Sequence, residues 1–366
     1  MPDAGQKGPH VHDPLGVRRR RRRAVIWLLG LLAAAVATVV VAVGLGAAYV
    51  TPGTVAQILG HHLLGLPEAG PESGWKATEE AIVWKVRLPR VLLGALVGAG
   101  LAVTGMALQA MVRNMLADPY LLGINSGASS GAAAAILFGA GTGLGAYALP
   151  GSAFLGALAA SFLVFALARS GGRVTSLRLL LSGVAVGYLL YGLTSFLIFA
   201  SGSAEGARSV MFWLLGSLGL AQWDGLLAVV AVAVIATITL LTMSGRGLDA
   251  LAIGDETAHT LGVSPDRFRT LLLVVVALTV GVVVSAAGSI GFVGLVVPHL
   301  ARRAVGSAHA VAVPAAALMG AILLVWADVL ARVLLQPQEI PIGIVTALLG
   351  APFLIVLIRR FSARDV

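Results

Sequence analysis

Cysteine is absent from all 366 residues. That excludes a disulfide framework, a thiolate metal site and thiol redox chemistry. Charge is almost as scarce. Asp, Glu, Lys and Arg together make up 11% of the chain, against about 25% in soluble globular proteins, so water is not the main solvent of this surface. Aromatic residues reach only 6%. There is no Walker lysine motif, no His-Glu-x-x-His motif and no glycine-flanked nucleophilic serine in an α/β setting. The hydrolase and nucleotide-binding classes that need them are excluded.

Apolar and small residues are what the chain has instead. It is 58% hydrophobic with 46 glycines and a mean hydropathy of +0.96, the composition of closely packed membrane helices. Residues 1–23 read as a disordered basic tail ending in six arginines, Arg18 to Arg23. The apolar run from Ala24 to Val50 is longer than a signal peptide's, so it stays as a first membrane helix. The arginines anchor topology on an anionic lipid surface rather than contacting nucleic acid.

Residues 24–360 form one membrane domain. A loop over residues 51–86 carries a short interfacial helix (Thr54 to Leu64), His61, His62, Trp75 and Trp84. Adjacent histidines on a helix point about 100° apart and make a poor chelate. Helix 2 runs from about Val91 to Val112, a polar break covers Asn114 to Pro119, and a broken third helix continues to Gly139. Further spans follow, with a polar loop around Glu205 and Arg208 before the sixth. Between Arg269 and Arg302 no charge occurs. One helix of that length would far exceed a hydrocarbon core of about 30 Å, so it divides near Gly288–Gly291.

The expected fold is all-α and polytopic, with about ten transmembrane helices and both termini cytoplasmic. Only Lys76, Lys85, Arg87, Arg90, Arg208 and Arg332 of the 25 Lys and Arg then fall outside, as the positive-inside rule asks. Helices 2–5 and 7–10 each begin with a helix and a polar break, at Arg113-Asn114 and at Pro298-His299 with Arg302-Arg303, which suggests inverted repeats.

Several long motifs occur in order: Arg87-Leu-Pro-Arg90, Asn114-Met-Leu-Ala-Asp-Pro119, Ser126-Gly-Ala-Ser-Ser-Gly131, Phe212-Trp-Leu-Leu-Gly216, Leu248 to Ala258 with Leu261-Gly262, Gly291-Phe-Val-Gly294 through Pro298-His299, Ala327-Asp-Val-Leu-Ala-Arg332 and Pro341-Ile-Gly343 through Pro352. From Trp84 to Arg360 the chain resembles permease subunits of type II ABC importers, the FecCD-type family that takes up iron chelates, haem and cobalamin. Met115 stands where that family usually has proline, implying a softer break.

The resemblance implies a bacterial cytoplasmic-membrane permease that moves an iron chelate, first of all a siderophore, with haem or cobalamin as alternatives. It implies a homodimer or a closely related heterodimer, two separate ABC ATPase subunits that hold ATP and Mg, an extracytoplasmic binding protein, and no cofactor, metal or catalytic residue in this chain. Arg87, Arg90 and Arg332 would receive carboxylates of the binding protein. Their bland reading is topology anchoring, with an i,i+4 pair between Asp328 and Arg332. Leu248, Leu251, Gly254, Asp255, Glu256, Leu261 and Gly262, in a coupling loop over residues 245–268, would press on the ATPase. Its apolar residues interleave with charge, as in a docking amphipathic helix. Asn114, Leu116, Ser176 and Leu177 would form a cytoplasmic gate. Ser126 and its neighbours either line the pathway or pack helices. An intramembrane enzyme would need facing ionisable groups at mid-depth, for which only Asp118 and Asp328 are candidates. A passive channel would not require the amphipathic loop.

Overall fold

The computed structural model describes residues 17–46, 48, 50–66, 74–170 and 173–362. The tail expected over residues 1–16 lies outside them. Helix α1 (Val17–Gly44) already contains the arginine run. Arginine is a good helix former and nothing between Arg23 and the apolar run breaks a helix, so the basic segment opens a helix rather than closing a tail.

Helix α2 (Pro52–Leu64) is the expected interfacial helix. The Thr51 hydroxyl accepts from the Thr54 N–H at its start, and Gly65 in the left-handed region ends it. Helix α3 (Ala77–Glu80) then passes through a π-turn (Ala81–Arg87) into α4 (Leu88–Val112) without interruption. The expected start near Val91 is therefore too late. Pro89 does not break the run because it falls at the first turn of α4, just after a wider turn in which the Leu88 N–H reaches the Val83 carbonyl.

Arg113, with φ 55°, closes α4 in place of the missing proline. A 3-10 turn (Pro119–Leu122), capped by the Asp118 carboxylate on the Tyr120 N–H, leads into α5 (Ile124–Phe138). Helix α6 (Ala148–Ala168) joins α7 (Ser176–Ser201) through two-residue strands β1 (Arg169–Ser170) and β2 (Arg173–Val174), paired antiparallel. The polar stretch around Glu205 and Arg208 is helix α8 (Ala204–Leu214), not a loop. Ser203 accepts from the Gly206 N–H and Glu205 sits in the first turn, a start signal that the composition obscured. Helix α9 (Gly225–Met243) is followed by α10 (Gly245–Ile253), α11 (Asp255–Thr260), α12 (Pro265–Ala287), α13 (Val293–Val305), α14 (His309–Val333) and α15 (Ile342–Ser362).

Among the described residues seven helices are long and apolar enough to cross a membrane. The other three expected spans are the shorter α5 and α13, and α15, whose apolar stretch is Ile342–Leu357. Helix α4 is the axis: 83% of its membrane window is buried, against 11% for α1, which lies at the periphery. Glycine lets the axis be approached closely. A Cβ on Gly98 would run into the Gly320 carbonyl of α14, and one on Gly105 into the Gly294 carbonyl of α13.

The repeat is visible as order and direction. Long helix, break, short helix and two further helices describe both α4–α7 and α12–α15, and α12 runs antiparallel to α4, with Thr279 and Val283 facing Gly100 and the Ala287 carbonyl accepting from Ser217 beside Leu218 and Gly94. The second break is at residues 288–292. It is not at Pro298-His299 or Arg302-Arg303, which lie inside α13.

Candidate functional site

The two breaks meet at mid-depth. Pro119 rests against Gly294, which also faces the carbonyl of Leu101, halfway along α4. The Tyr120 hydroxyl donates to the Ile290 carbonyl at 3.0 Å and accepts from the Ile290 N–H at 2.9 Å. Pro298 has no N–H for the carbonyl four residues back, at Gly294. Gln109 Nε2 donates to that oxygen and to Leu295 O, each at 3.4 Å, and its own Oε1 accepts from Arg302. Irregular backbone at this depth is tolerated only when protein satisfies it or a passage adjoins it, the arrangement of broken-helix transporters.

The serine segment after the first break serves packing. Ser130 Oγ bonds to Leu190 O and to Thr194 Oγ1 on α7. Ser126 is half-buried beside Gly187 of α7, and its carbonyl accepts from Ser130. The expected gate residues share the Arg113 end of the bundle. The Asn114 side chain accepts from the Leu116 N–H, leaving the Met115 and Leu116 side chains exposed. Ser176 and Leu177 form the first turn of α7, with Leu177 exposed.

At the same end α10 and α11 meet at Gly254, whose φ 154° and ψ 163° suit glycine alone. Arg269 of α12 holds Asp255 with two hydrogen bonds of 2.9 and 2.7 Å. That hydrogen-bonded pair, partly offset by burial and aided by the charges of Arg113 and His259, keeps the Asp255 carboxyl below its usual range. The Arg113 guanidinium also lies over Gly254, so the end of α4 touches the joint between the short helices. On the other flank Asp249 of α10 accepts from His309 Nδ1 at 2.6 Å and from its backbone N–H. Burial opposes ionisation of Asp249, yet the His309 hydrogen bonds outweigh it and its pKa is lowered.

Leu248 and Leu251 do not present outward. Both are fully buried and fasten α10 to the bundle, whereas Ile253 and Leu261 are exposed. Glu256 and Gly262 are exposed as well. A hydropathy pattern identifies an amphipathic helix but not which neighbour its apolar stripe faces; the Arg269–Asp255 and Asp249–His309 pairs were missed because they join residues distant along the chain.

The arginines at the far end of α4 are turned inward. Arg87 donates to the carbonyls of Val43, Gly44 and Ala48, and Arg332 to Leu45 and Ala42, all at the end of α1. Arg332 also pairs with Asp328 at 3.0 Å. Arg90 is held by the buried Asp328 and by Glu339, whose side chain is 53% exposed. An exposed rim of three cations is therefore not what one protomer offers: Arg87 and Arg332 are buried because helix-end carbonyls need donors. Asp328 is accounted for by this network, and Asp118 by its cap on Tyr120.

Two histidine sites resolve into packing. His62 stacks on Trp84 at 4.0 Å and bonds to Glu80, while Trp223 donates to the Trp84 carbonyl. His299 is buried with its ring edge-on to Phe353.

Two broken helices joined at mid-depth and a hinged pair of short helices at one end are features of an energised transporter. The FecCD transport family model matches residues 31–360. The chain belongs to the FecCD transport family. A cobalamin import system permease of Halobacterium salinarum is 45% identical over 80% of this chain and 77% of its own length. A hemin transport system permease of Yersinia pestis is 42% identical, covering 78% and 86%. An Fe(3+)-citrate import system permease of Bacillus subtilis is 40% identical, covering 77% and 82%. A solved structure described as a metal-chelate type ABC transporter in an inward-facing conformation superposes with a TM-score of 0.77, at 33% identity, over 91% of this chain and 98% of that one. As a FecCD permease of a type II ABC importer, the chain is a non-catalytic, multi-pass transport subunit of the cell membrane. Its role implies ATPase and binding-protein partners.

Proposed function

We propose that this FecCD permease imports an iron chelate as a homodimer, with the Arg113 end and both termini in the cytoplasm. Two ATPase subunits seat on α10 and α11, and the binding protein delivers cargo at the Arg87 end. The observation that carries the reading is the contact of Arg113 with the Gly254 joint, because it links a docking surface for an ATPase to the first break. Movement of α10 and α11 then bears directly on Asn114 and Leu116, and across the dimer on Ser176 and Leu177.

At the outer face Arg90 is the docking cation. Its partner Glu339 is half in solvent, so a carboxylate of the binding protein can exchange for it, while Arg87 and Arg332 support α4 from beneath. Cargo selection rests with the binding protein, since among the described residues the polar side chains around the breaks, Gln109, Asp118 and Tyr120, are spent on bonds within the chain. The hemin and Fe(3+)-citrate relatives support an iron chelate. The cobalamin relative supports a second reading, a corrinoid.

Uptake into vesicles holding the permease, its ATPase and the cognate binding protein tests both. A ferric siderophore, ferric citrate or haem should accumulate with ATP and fail without it. Accumulation of cobalamin alone would establish the second reading, and ATP-independent leakage of every chelate would remove the importer reading.

A further inference from the structure

Helix α1 is held unevenly. Its outer end is tied by Arg87 and Arg332, but at its inner end a cavity of about 770 Å3 separates it from the corner between α13 and α14. Arg23 of α1 and Arg303 of α13 line this cavity with Val25, Leu28, Val305 and Val311, and no carboxylate lines it. Both arginines are exposed. Neither makes a hydrogen bond or ion pair among the described residues, whereas Arg87, Arg90, Arg269, Arg302 and Arg332 are all engaged. What sets Arg23 and Arg303 apart from other exposed arginines is that they face one apolar cavity together, available there to an anion from outside.

The depth and walls define that anion further. Val25, Ile26, Trp27 and Leu29 of the same turns are exposed on a peripheral helix, so the cavity opens sideways onto lipid. Cations at its entry and aliphatic side chains below them match a phosphate headgroup above acyl chains. Basic pockets between membrane helices on the cytoplasmic side bind anionic lipid headgroups. A zwitterionic lipid would bring its own ammonium against two guanidinium groups. The N-terminal residues 1–16 fit less well: with Asp3, Asp13 and Lys7 as their charged side chains they offer little net negative charge.

We propose that the cleft between the N-terminal end of α1 and the α13–α14 corner binds one anionic phospholipid of the cytoplasmic leaflet. Its phosphate lies between Arg23 and Arg303, and its acyl chains lie along Val25, Leu28 and Val311. The lipid completes the packing of α1 where protein does not. This rests on the cytoplasmic placement of that end. Protease access to the N-terminus in sealed vesicles checks the placement separately from the lipid.

Native mass spectrometry of permease released from nanodiscs with equal phosphatidylglycerol and phosphatidylcholine tests the site. One phosphatidylglycerol per permease copy should survive release. Each basic side chain near an anionic surface is worth about fivefold in affinity, so Arg23→Gln with Arg303→Gln should lower retention by about 30-fold. The corresponding double lysine variant should keep most of it. Both side chains are exposed, and an unchanged melting temperature in detergent would confirm that the glutamine variant folds. Equal retention of phosphatidylcholine, undiminished phosphatidylglycerol in the glutamine variant, or its displacement by inorganic phosphate would overturn the proposal. So would cross-linking of a photoreactive benzoylphenylalanine in place of Val305 to residues 1–16 or to the ATPase instead of to lipid.

Discussion

The two ends of α4 use arginine in opposite ways. At the Arg87 end, Arg87 donates three hydrogen bonds to carbonyls at and just beyond the end of α1, and Arg90 and Arg332 share Asp328. At the Arg113 end, Arg113 is exposed, in the left-handed region, and lies over a glycine joint between two short helices. The first arrangement is a clamp with fixed partners. The second is a contact surface whose geometry depends on the angle at Gly254. One long helix therefore carries a static end and a responsive end, which a subunit driven from one side needs.

The comparison breaks most severely at the clamp. Arg87→Glu would set a buried carboxylate against three carbonyls, at a cost of about 3–5 kcal/mol. Folded, membrane-inserted protein should fall sharply on fluorescence-detected size exclusion. If insertion is normal and only binding-protein docking is lost, the clamp assignment is wrong and Arg87 faces the partner.

The next effect separates two neighbouring residues at the responsive end. Leu251→Asp should lower stability by several kcal/mol, because it buries an unpaired charge in the core. Ile253→Asp should leave the melting temperature within a degree or two, yet weaken ATPase association by about 2 kcal/mol, roughly 30-fold, as for a central interface residue. Equal effects of the two variants on ATPase pull-down and on melting would erase the distinction between buried and presented faces.

Gly254→Ala should be milder. Its backbone region costs a non-glycine residue about 1–3 kcal/mol. The expected outcome is retained ATPase binding with reduced stimulation of ATP hydrolysis by the loaded binding protein. Wild-type stimulation would mean that the joint does not set the angle.

The smallest effect is on pH dependence. The Asp255 pKa is lowered in the folded chain by Arg269, so its stabilisation is fully present above the unfolded value of about 3.9. It is lost as pH falls through the lowered value. Melting temperatures of wild type and Asp255→Asn should converge in that acidic window and differ by no more than a few degrees at pH 7. A gap that persists undiminished at the lowest pH would assign the contact's strength to packing instead.

Much of this was legible in the chain. Apolar run length gave the spans, and the Gly288–Gly291 division and an amphipathic coupling segment around Gly254 were both expected. What hydropathy does not report is which apolar face meets protein and which meets lipid. Phe199 of α7 is 85% exposed and Val230 of α9 is fully buried, yet both are apolar, because lipid and protein interior make the same demand on a side chain. Leu248 and Leu251 were misdirected for this reason. The buried roles of Arg87 and Arg332 were hidden differently. Their partners are backbone carbonyls at and just beyond the end of α1, about forty residues away along the chain for Arg87 and nearly three hundred for Arg332, and a carbonyl leaves no mark in a sequence. The second break was displaced by Pro298, which reads as a helix breaker until Gln109 is found bonding to the carbonyl that the proline leaves unpaired.

Tyr120 sets a limit on how the two halves move. One hydroxyl is bonded to both the N–H and the carbonyl of Ile290, so it grips a single residue of the opposite repeat from both sides. Sliding the halves by one residue would strip both bonds at once in a place where water cannot replace them. The pair of repeats therefore behaves as a solid block at its waist. In the proposed homodimer, a passage between the copies would then open and close by tilting this block and bending the short helices at its ends, with the middle carried along unchanged.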